Sequence, residues 1–201
     1  VIGATLVEDR FGESNKAYDF NGNSDYINLG DRDVFDFSTS DFSFSFWIKP
    51  ESTQIDTYIL GKYQPFENPA YGIGTGQNGG AYSHIGDTSL VELRGANPFV
   101  GGKWYHVSVV FDRDAAMYFF IDKVLNASSK ISSVQGAIAN SVNLFIGKIN
   151  SGKHFAGIID DVRVYNRALS ATEVAQLYEY ESIPPALKPI EEWIDNGLVA
   201  Y

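Results

Sequence analysis

The stretch FAGIIDDVRVYNRALSATEVAQLY, residues 155–178, most constrains the fold, because a strand pattern passes directly into a helix pattern. From Ile158 to Tyr165 the residues alternate in the period-2 manner of a β-strand, which puts Asp160 on the same face as Val162 and Val164. A carboxylate on an apolar face is costly unless a cation, an arginine or backbone N–H donors compensate it. The sequence therefore predicts a specific partner for Asp160.

The residues that follow this strand predict one short helix. Ser170 stands three residues before Glu173, which is the order of a helix capping box. Val174 and Leu177 then recur at helical spacing. We expect a helix over 171–180 that covers one end of a sheet, with Leu177 as its anchor.

The rest of the chain predicts strands joined by turns. The clearest strand is FSFSFWIKP, residues 42–50, in which four apolar residues alternate with Ser43, Ser45, Trp47 and Lys49. Further strands are expected at 58–63, 71–75, 89–94, 105–111, 117–121 and 143–148. The Gly- and Ser-rich segment 76–89 is expected to be a mobile rim loop. The fold class predicted is all-β: a two-sheet antiparallel β-sandwich with one short C-terminal helix.

Composition excludes several function classes. The chain has 15 Lys and Arg against 25 Asp and Glu, a formal net charge of −10, which repels nucleic acid and anionic lipid. It has no cysteine, so disulfides and thiolate metal sites are excluded. No apolar run reaches the roughly 18 residues of a membrane span, so membrane insertion is not expected.

An ordered set of motifs resembles a known family. The motifs AYDFNGNSDYINL, DFSFSFWIKP, GGKWYHVSVVFD, MYFFIDKVL, NLFIGK and GIIDDVRVYNRALSATEV follow one another as in the laminin G-like, concanavalin A-like jelly rolls, in the bacterial subgroup that also resembles pentraxins. The resemblance covers about residues 1–180. It implies two curved antiparallel sheets packed face to face and, in many members, one calcium ion near a sheet edge.

The two ends of the chain depart from the family pattern. Family members usually begin with a strand similar to GLVAYYPF, whereas this chain starts at VIGATLVEDRFG and carries NGLVAY at 196–201. We therefore expect a laminin G-like domain over 1–180. Residues 181–201 are expected to be a Pro-containing linker followed by the possible first strand of a following repeat, or of this domain itself.

The resemblance also implies a calcium site. It places Asn21, where many members have Asp, and backbone oxygens around Gly22 and Ser24 beside the carboxylate of Asp160, with Asp25 and Asp161 as secondary candidates. Such oxygens are the ligands that Ca²⁺ prefers. The alternative is that Asp160 accepts backbone N–H groups of the 21–25 loop without any metal.

Aromatic and polar residues in or beside two predicted rim loops, 62–70 and 76–88, are candidates for carbohydrate binding. Sugar rings stack on aromatic side chains, and their hydroxyl groups need planar polar partners. The alternative is that the aromatic residues pack against the sandwich. The candidates are Tyr63, Phe66, Asn68, Tyr71, Asn78, Tyr82 and His84, accompanied by Gln77.

Catalytic motifs are absent from the sequence. No E-x-D-x-E run places two carboxylates on one strand face, and Asp160 and Asp161 are adjacent, so on a strand they point to opposite faces. Neither a serine elbow nor an HExxH pattern occurs.

The sequence therefore predicts a non-catalytic module that binds polysaccharide within a larger secreted or cell-surface protein. Two alternatives stay open: an adhesion or structural repeat that docks extracellular protein partners, and a glycoside hydrolase or polysaccharide lyase of the same fold.

Overall fold

The computed structural model describes residues 1–53, 56–64, 67–187 and 197–200. The described residues form two antiparallel sheets packed face to face and one α-helix, with short 3-10 helices at Asp33–Phe35 and Pro185–Leu187, which confirms the predicted sandwich. The helix, α1, spans Ala171–Glu181. The strands in chain order are β1 (Thr5–Val7), β2 (Ala17–Asn21), β3 (Ile27–Gly30), β4 (Phe42–Pro50), β5 (Thr57–Gln64), β6 (Glu67–Thr75), β7 (Gly80–Gly86), β8 (Leu90–Pro98), β9 (Tyr105–Phe111), β10 (Ala116–Ile121), β11 (Val124–Lys130), β12 (Leu144–Ile146), β13 (Ala156–Tyr165) and β14 (Leu198–Ala200).

The two sheets have different partners on their outer faces. Sheet 1 has the order β1-β2-β13-β4-β9-β10-β11, with β14 also paired to β13, and sheet 2 has the order β3-β12-β5-β6-β7-β8. Helix α1 packs on the outer face of sheet 1 through Val174 and Leu177, which contact Val110, Phe120 and Tyr165.

No helix among the described residues is long and apolar enough to span a membrane.

The core lies between the sheets and follows the strand patterns of the sequence. In β4, Phe42, Phe44, Phe46 and Ile48 are fully buried between the sheets. The alternate residues of β4 point outward and bind groups that cover this face: Ser43 donates to the carbonyl of Arg167, for example, at 2.8 Å. The predicted alternation of β4 is therefore confirmed, although both of its faces are buried.

A buried carboxylate fixes the end of α1 to sheet 1. Glu181, the last residue of the helix, is fully buried, and its carboxylate accepts from Arg163 Nε at 2.6 Å and from Trp47 Nε1 at 2.7 Å. His106 Nε2 lies 3.4 Å from the same carboxylate and 2.8 Å from the hydroxyl of Ser45. Burial opposes ionisation, but His106 and Arg163 outweigh it and lower the pKa of Glu181 to about 2.

The start of α1 agrees with the start predicted from the sequence. Ser170 accepts from the backbone N–H of Glu173, and the Glu173 side chain accepts from the backbone N–H of Ser170. This is the predicted capping box, and it satisfies two N–H groups that a helix start leaves free.

One predicted loop is wrong. The segment 76–89 was expected to be a rim loop, but Gly80–Gly86 form β7, all of whose residues are buried. Ala81 and Ile85 belong to the core, and Ser83 donates to the carbonyl of Gly72 at 3.0 Å. Small residues that usually mark turns here allow close packing of a strand inside the sheet.

The predicted facing of Asp160 is also wrong, because β13 contains a bulge. Asp160 pairs with Trp47 and Arg163 pairs with Ser45. Between these two pairs, β13 has two residues where β4 has one, and the first of the two, Asp161, has a φ of 47°. The bulge reverses the alternation, so that Ile159 and Val164 point into the core while Asp160 and Arg163 share the outer face.

The C-terminal strand pairs with this domain. In β14, Leu198 lies opposite Tyr165 and Ala200 lies opposite Val164 of β13. Leu198–Ala200, part of NGLVAY, therefore lie in the sheet of this chain.

The buried cluster around Glu181 gives the first prediction. Glu181→Gln should lower the free energy of unfolding by about 3–5 kcal/mol, because it removes the ionised carboxylate that binds the buried guanidinium of Arg163. Glu179→Gln is the matched control: the side chain of Glu179 in the same helix is 62% exposed, and its ion pair with Lys123 should contribute about 0.5 kcal/mol or less. Urea unfolding of both variants measures the difference; equal effects would contradict the role of Glu181.

Candidate functional site

The outer face of sheet 2 carries a strip of glycines at its centre. Gly72 and Gly74 of β6 lie next to Gly61 and Tyr58 of β5 in the sheet register. A Cβ atom on Gly72 would lie 2.6 Å from Cε1 of His84 and 2.8 Å from Cε1 of Tyr58. Because no side chain projects from this strip, neighbouring rings can lie down over the sheet.

Four aromatic side chains occupy the space above the glycines. The ring centroids of Tyr58 and Tyr82 are 5.8 Å apart, and those of Tyr58 and Tyr63 are 6.1 Å apart. His84 lies among them, 4.5 Å from the ring of Tyr63 and 5.7 Å from that of Tyr82. These four residues are called the aromatic platform below.

A cavity of about 400 Å³ opens above three of these rings. Charged groups at its sides are joined in pairs: Arg94 binds Glu92 at 2.8 Å, and Lys153 binds Asp56 at 2.7 Å. The cavity is lined by Asp56, Tyr58, Tyr63, Gly76, Gln77, Tyr82, Leu90, Glu92, Arg94, Ile149, Ser151 and Lys153. It thus combines an aromatic floor with amide, hydroxyl and charged groups at the rim.

The platform is held rigidly by its neighbours. The hydroxyl of Tyr82 donates to Glu92 at 2.7 Å, and the guanidinium of Arg94 lies 4.8 Å from the centre of the Tyr82 ring. Burial opposes ionisation of Glu92, but the hydrogen bonds from Tyr82 and Arg94 outweigh it and lower the pKa of this carboxyl group. Glu92 is therefore ionised at neutral pH, and burial raises the pKa of Tyr82 far enough to keep its hydroxyl protonated.

His84 is neutral and has a free ring nitrogen. Burial lowers the pKa of His84 to about 3, so the imidazole carries no charge at neutral pH. Its Nδ1 lies 3.4 Å from the hydroxyl of Tyr58, whereas Nε2 has no hydrogen-bond partner among the described residues. The ring of Tyr63, which is only half-buried, covers His84 from the side of the cavity.

Three of the residues predicted to bind ligand come together here: Tyr63, Tyr82 and His84. Gln77 lines the same cavity. The prediction for Tyr71 needs correction, because its side chain points into the core, is fully buried, and donates to the carbonyl of Phe35 at 3.1 Å.

The other residues predicted to bind a saccharide lie away from this cavity or are not fully described by the structure. The amide of Asn78 donates to the carbonyl of Gly95 at 3.0 Å, and its oxygen accepts from Gly80, so this side chain shapes the turn before β7. Phe66 lies outside the described residues, and for Asn68 only the backbone, in β6, is described.

The sequence did not identify Tyr58, Asp56, Glu92, Arg94 and Lys153 as site residues. The sheet register brings two of them in, since Tyr82 pairs with Arg94 and His84 pairs with Glu92 across β7 and β8. The alternation Glu-Leu-Arg at 92–94 is visible in the sequence, but its alignment with β7 is not, because the sequence predicts a loop at 76–89.

Of the residues predicted to bind calcium, those of the 21–25 turn come together, but Asp160 and Asp161 lie away from it. Asn21 pairs with Ala156, four residues before Asp160 on β13, which corresponds to about 13 Å along a strand. The oxygen of the Asn21 side chain accepts backbone N–H groups from residues 23–25, and the carboxylate of Asp25 accepts from the N–H of Asn21 and the hydroxyl of Ser24. Gly22 is the positive-φ residue of this turn.

The partner of Asp160 is an arginine. Arg10 Nη1 binds Asp160 at 2.8 Å, and its Nη2 binds Asp161 at 2.7 Å and the carbonyl of Glu181 at 2.7 Å. The guanidinium also lies 4.5 Å from the ring of Trp47. The predicted requirement for a partner is met by Arg10, which corrects the placement of Asp160 beside the 21–25 loop.

The possible ligands in the 21–25 turn are not those of a carboxylate-rich metal site. Among the described residues, no group of three or more His, Cys, Asp or Glu side chains could hold a metal ion. Calcium also binds amide and backbone oxygens, so a site built on Asp25 and the turn 21–24 stays a prediction.

A larger cavity, of about 700 Å³, lies between the sheets at the edge formed by β2, β13 and β14. Its walls are mostly apolar, including Phe20, Ile159 and Val164. The carboxylates at its mouth, Asp160 and Asp161, are both engaged by Arg10. Polar groups also line it, namely Lys16, Asn28 and Arg32, but among the described residues its aromatic side chains form no stacked pair, so the aromatic platform is the better candidate site for a sugar ring.

A laminin G family model, described as the concanavalin A-like lectin/glucanases superfamily, matches residues 21–175. The chain belongs to this superfamily. No curated protein matches the sequence.

Solved structures of the superfamily fold are similar to this chain at low identity. Domain 4 of AbnA, a GH43 extracellular arabinanase from Geobacillus stearothermophilus solved in complex with arabinotriose, is 23% identical with a TM-score of 0.70, and the match covers 87% of this chain and 81% of that one. The binding domain of Paraclostridial Mosquitocidal Protein 1 is 20% identical with a TM-score of 0.70, covering 88% and 45%. A heptameric SAP-like pentraxin from Limulus polyphemus is 16% identical with a TM-score of 0.59, covering 91% and 90%.

The environment of Asp160 predicts an unusual pH dependence for this laminin G-like chain. Burial and the charge of Asp161 raise the pKa of Asp160 to about 6, against the opposing effect of Arg10. Since the folded state then binds a proton at Asp160 more readily than the unfolded chain, this group should add stability as pH falls from 7 towards 5, on the order of 1 to 2 kcal/mol. The buried His84, whose pKa is lowered to about 3, acts in the opposite direction below about pH 6.5, because only the unfolded chain takes up its proton. Below about pH 4.5 the lowered pKa of Glu181 acts in the opposite direction, and stability should fall.

Urea unfolding at pH 7 and pH 5 measures this effect. The change in stability from pH 7 to pH 5 should be about 1 to 2 kcal/mol less favourable in Asp160→Asn than in the unmodified protein, whereas Asp114→Asn, at an exposed position, should change as the unmodified protein does. The same change in the unmodified protein and in Asp160→Asn would contradict the raised pKa of Asp160.

Proposed function

We propose that this protein is a non-catalytic carbohydrate-binding module that holds a saccharide on the aromatic platform. The observation that carries the proposal is the cavity over Tyr58, Tyr63 and Tyr82, which has hydrogen-bonding side chains along its rim. Stacking on the rings would hold the apolar face of a sugar, while Gln77, Ser151 and the rim carboxylates are within the same cavity to bind its hydroxyl groups.

The platform is suited to binding because little of it must be ordered when a ligand arrives. Tyr58 and Tyr82 are at most 7% exposed, and the hydroxyl of Tyr82 is held by Glu92. Tyr63 is the more exposed ring and would provide the accessible stacking face. Fixed rings reduce the entropy lost on binding.

The charges of the rim favour a neutral saccharide. Asp56 is paired with Lys153 and Glu92 with Arg94, so the four ionised groups cancel. The chain as a whole has a formal net charge of −10, which disfavours strongly acidic polysaccharides.

The same pairing supports a binding role without catalysis. A glycosidase needs one carboxyl group that is protonated at working pH as its general acid. In this cavity the pKa of Glu92 is lowered, and Asp56 accepts two hydrogen bonds from Lys153. Both groups would act as carboxylates that accept hydrogen bonds from sugar hydroxyls.

The comparisons support the same reading at a coarser level. Structural neighbours include domain 4 of an extracellular arabinanase, solved in complex with arabinotriose, and the binding domain of a mosquitocidal protein, so a binding module is the coarse function that supports this proposal. By this analogy we place the protein outside the cell, as part of a longer secreted or surface protein, with a glycan as its partner.

The platform gives a direct test by substitution. Binding is first located by screening immobilised plant and microbial polysaccharides, including arabinan, and then measured by calorimetry with an oligosaccharide of the best ligand. Tyr63→Ala should weaken binding by about 5- to 100-fold, which corresponds to about 1–3 kcal/mol for loss of one stacking ring. Tyr118→Ala, which removes a half-buried tyrosine from sheet 1, is the matched control and should leave affinity unchanged.

Two outcomes would overturn the proposal. If the folded protein binds no glycan in the screen, the adhesion or protein-docking alternative replaces it. If reducing ends or unsaturated products appear on incubation with the polysaccharide, the module is an enzyme.

Calcium is a separate expectation with its own test. We infer from the family resemblance that an ion would bind at Asp25 and the turn 21–24, since this turn gathers carboxylate, amide and backbone oxygens. A bound ion stabilises the folded state by mass action, so the thermal midpoint should rise with Ca²⁺ and fall with EDTA, and Asp25→Asn should abolish the difference. An identical midpoint in both solutions would exclude the site.

A further inference from the structure

We propose that His84 determines the specificity of the aromatic platform: when a saccharide binds over the tyrosines, one of its hydroxyl groups forms a hydrogen bond with the buried Nε2 of His84. The inference rests on the proposed function, because it assigns a role to one residue within the same site. Stacking on the tyrosines would hold sugar rings of many kinds, whereas a hydrogen bond to one buried nitrogen distinguishes between them.

The Nε2 atom of His84 is buried and has no hydrogen-bond partner among the described residues. The other ring nitrogen, Nδ1, lies 3.4 Å from the hydroxyl of Tyr58, so the protein supplies a partner to one side of the imidazole only. Buried polar atoms are nearly always hydrogen-bonded in folded proteins, because an unpaired one destabilises the fold. The unpaired nitrogen therefore needs an explanation, and its position at the candidate site supplies one.

His84 lies directly behind the wall of the cavity. Three of the residues that line the cavity are tyrosines, and the imidazole contacts all of them, with centroid distances of 5.6 Å to Tyr58, 4.5 Å to Tyr63 and 5.7 Å to Tyr82. A Cβ atom on Gly72 would lie 3.1 Å from Nε2, so a larger residue at this position would fill the space next to the nitrogen.

Tyr63 is the least constrained part of this wall. Its ring is half-buried, and its hydroxyl has no hydrogen-bond partner in the part of the chain that the structure describes. Tyr58 and Tyr82 are at most 7% exposed, and both hydroxyls have partners. The ladder between β5 and β6 is irregular at Tyr63, which has no register partner in β6. A turn of the Tyr63 ring about its Cβ opens a path from the cavity to His84, while the face of the ring stays available for stacking.

The surroundings of His84 favour a hydroxyl group over a charged group. Because the imidazole is neutral, Nε2 donates if Tyr58 donates to Nδ1, and it accepts if Nδ1 donates to Tyr58. A hydroxyl group fits both arrangements, since it can donate and accept. A carboxylate would be repelled by the ionised Glu92, which lies opposite His84 in the register of β7 and β8.

The burial of Nε2 also favours selectivity. This atom is removed from bulk water when the protein folds, before any ligand binds. A hydrogen bond to a sugar hydroxyl therefore needs little further desolvation of the protein. We expect the hydroxyl that reaches Nε2 to change the affinity by about 5- to 100-fold.

Trisaccharides that differ in one hydroxyl group per sugar test this role by calorimetry. The probes are cellotriose, mannotriose of the same linkage, in which one hydroxyl of each sugar is inverted, and xylotriose, which lacks the hydroxymethyl groups. The unmodified protein should bind one of them about 10-fold or more tightly than another. In His84→Phe, which keeps a ring but removes Nε2, this ratio should fall to about 2-fold or less.

Tyr63→Ala is the matched variant for this comparison. It removes a stacking face but leaves Nε2 in place, so it should weaken the binding of all three probes by a similar factor and retain the ratio between them. Equal affinities of the unmodified protein for the three probes, or binding to none of them, would overturn the role of His84. An unchanged ratio in His84→Phe, or a ratio lost in both variants, would also overturn it.

Nitrogen NMR of the histidine side chains tests the contact without any substitution. The Nε2 resonance of His84 should shift and saturate as the most tightly bound of the three trisaccharides is added. His106 is the internal control: its Nδ1 is also buried without a partner among the described residues, but its ring lies beside Trp47 and Tyr178 under α1, so its resonances should not move.

The two proposals fail in different ways. A saturated site with an unchanged His84 Nε2 resonance would overturn the role of His84 and leave carbohydrate binding on the platform intact. Absence of binding to every polysaccharide in the screen would remove the proposed function itself.

Discussion

The buried carboxylate of Glu181 is the interaction on which the arrangement of the molecule depends. It sits at the end of α1, fully buried, between Arg163, Trp47 and His106 on the outer face of sheet 1. A charge in this position is tolerated only with its partners in place, so the helix is fixed over sheet 1. Sheet 2 receives no comparable cover from a described helix, and its outer face carries the cavity instead.

The glycines on the outer face of sheet 2 explain why a binding surface forms there. Glycines in β5 and β6 leave room directly above the backbone, and the rings of Tyr58, Tyr82 and His84 fill it. The rings are thereby fixed in a layer, while ion-paired side chains on β8 and in the loops form the rim. A residue larger than glycine at position 72 would therefore displace the platform.

The fold was predictable from the sequence because its strands alternate strongly and its helix start carries an explicit cap. The strand at 42–50 and the capping box at Ser170 and Glu173 needed no tertiary information. Asp160 could be seen to need a partner, but Arg10 lies 150 residues away, and the bulge at Asp161 that turns the carboxylate outward has no simple sequence signal. In the candidate site, the sequence shows Tyr63, Tyr82 and His84 as ring-bearing residues suited to sugar binding. It does not distinguish them from Tyr71, whose side chain is buried. The orientation of β6, which turns Tyr71 and Ile73 into the core, separates Tyr71 from the other three.

The central claim, that a saccharide binds over the glycine strip of sheet 2, is tested most directly by NMR of aromatic side chains during titration with the best oligosaccharide ligand. The account predicts that the ring resonances of Tyr58, Tyr63, Tyr82 and His84 shift together and saturate with the calorimetric affinity, while Trp47 and Tyr178 beneath and beside α1 stay unchanged. Saturable shifts confined to sheet 1 or to the 21–25 loop, with the platform resonances unmoved, would contradict it.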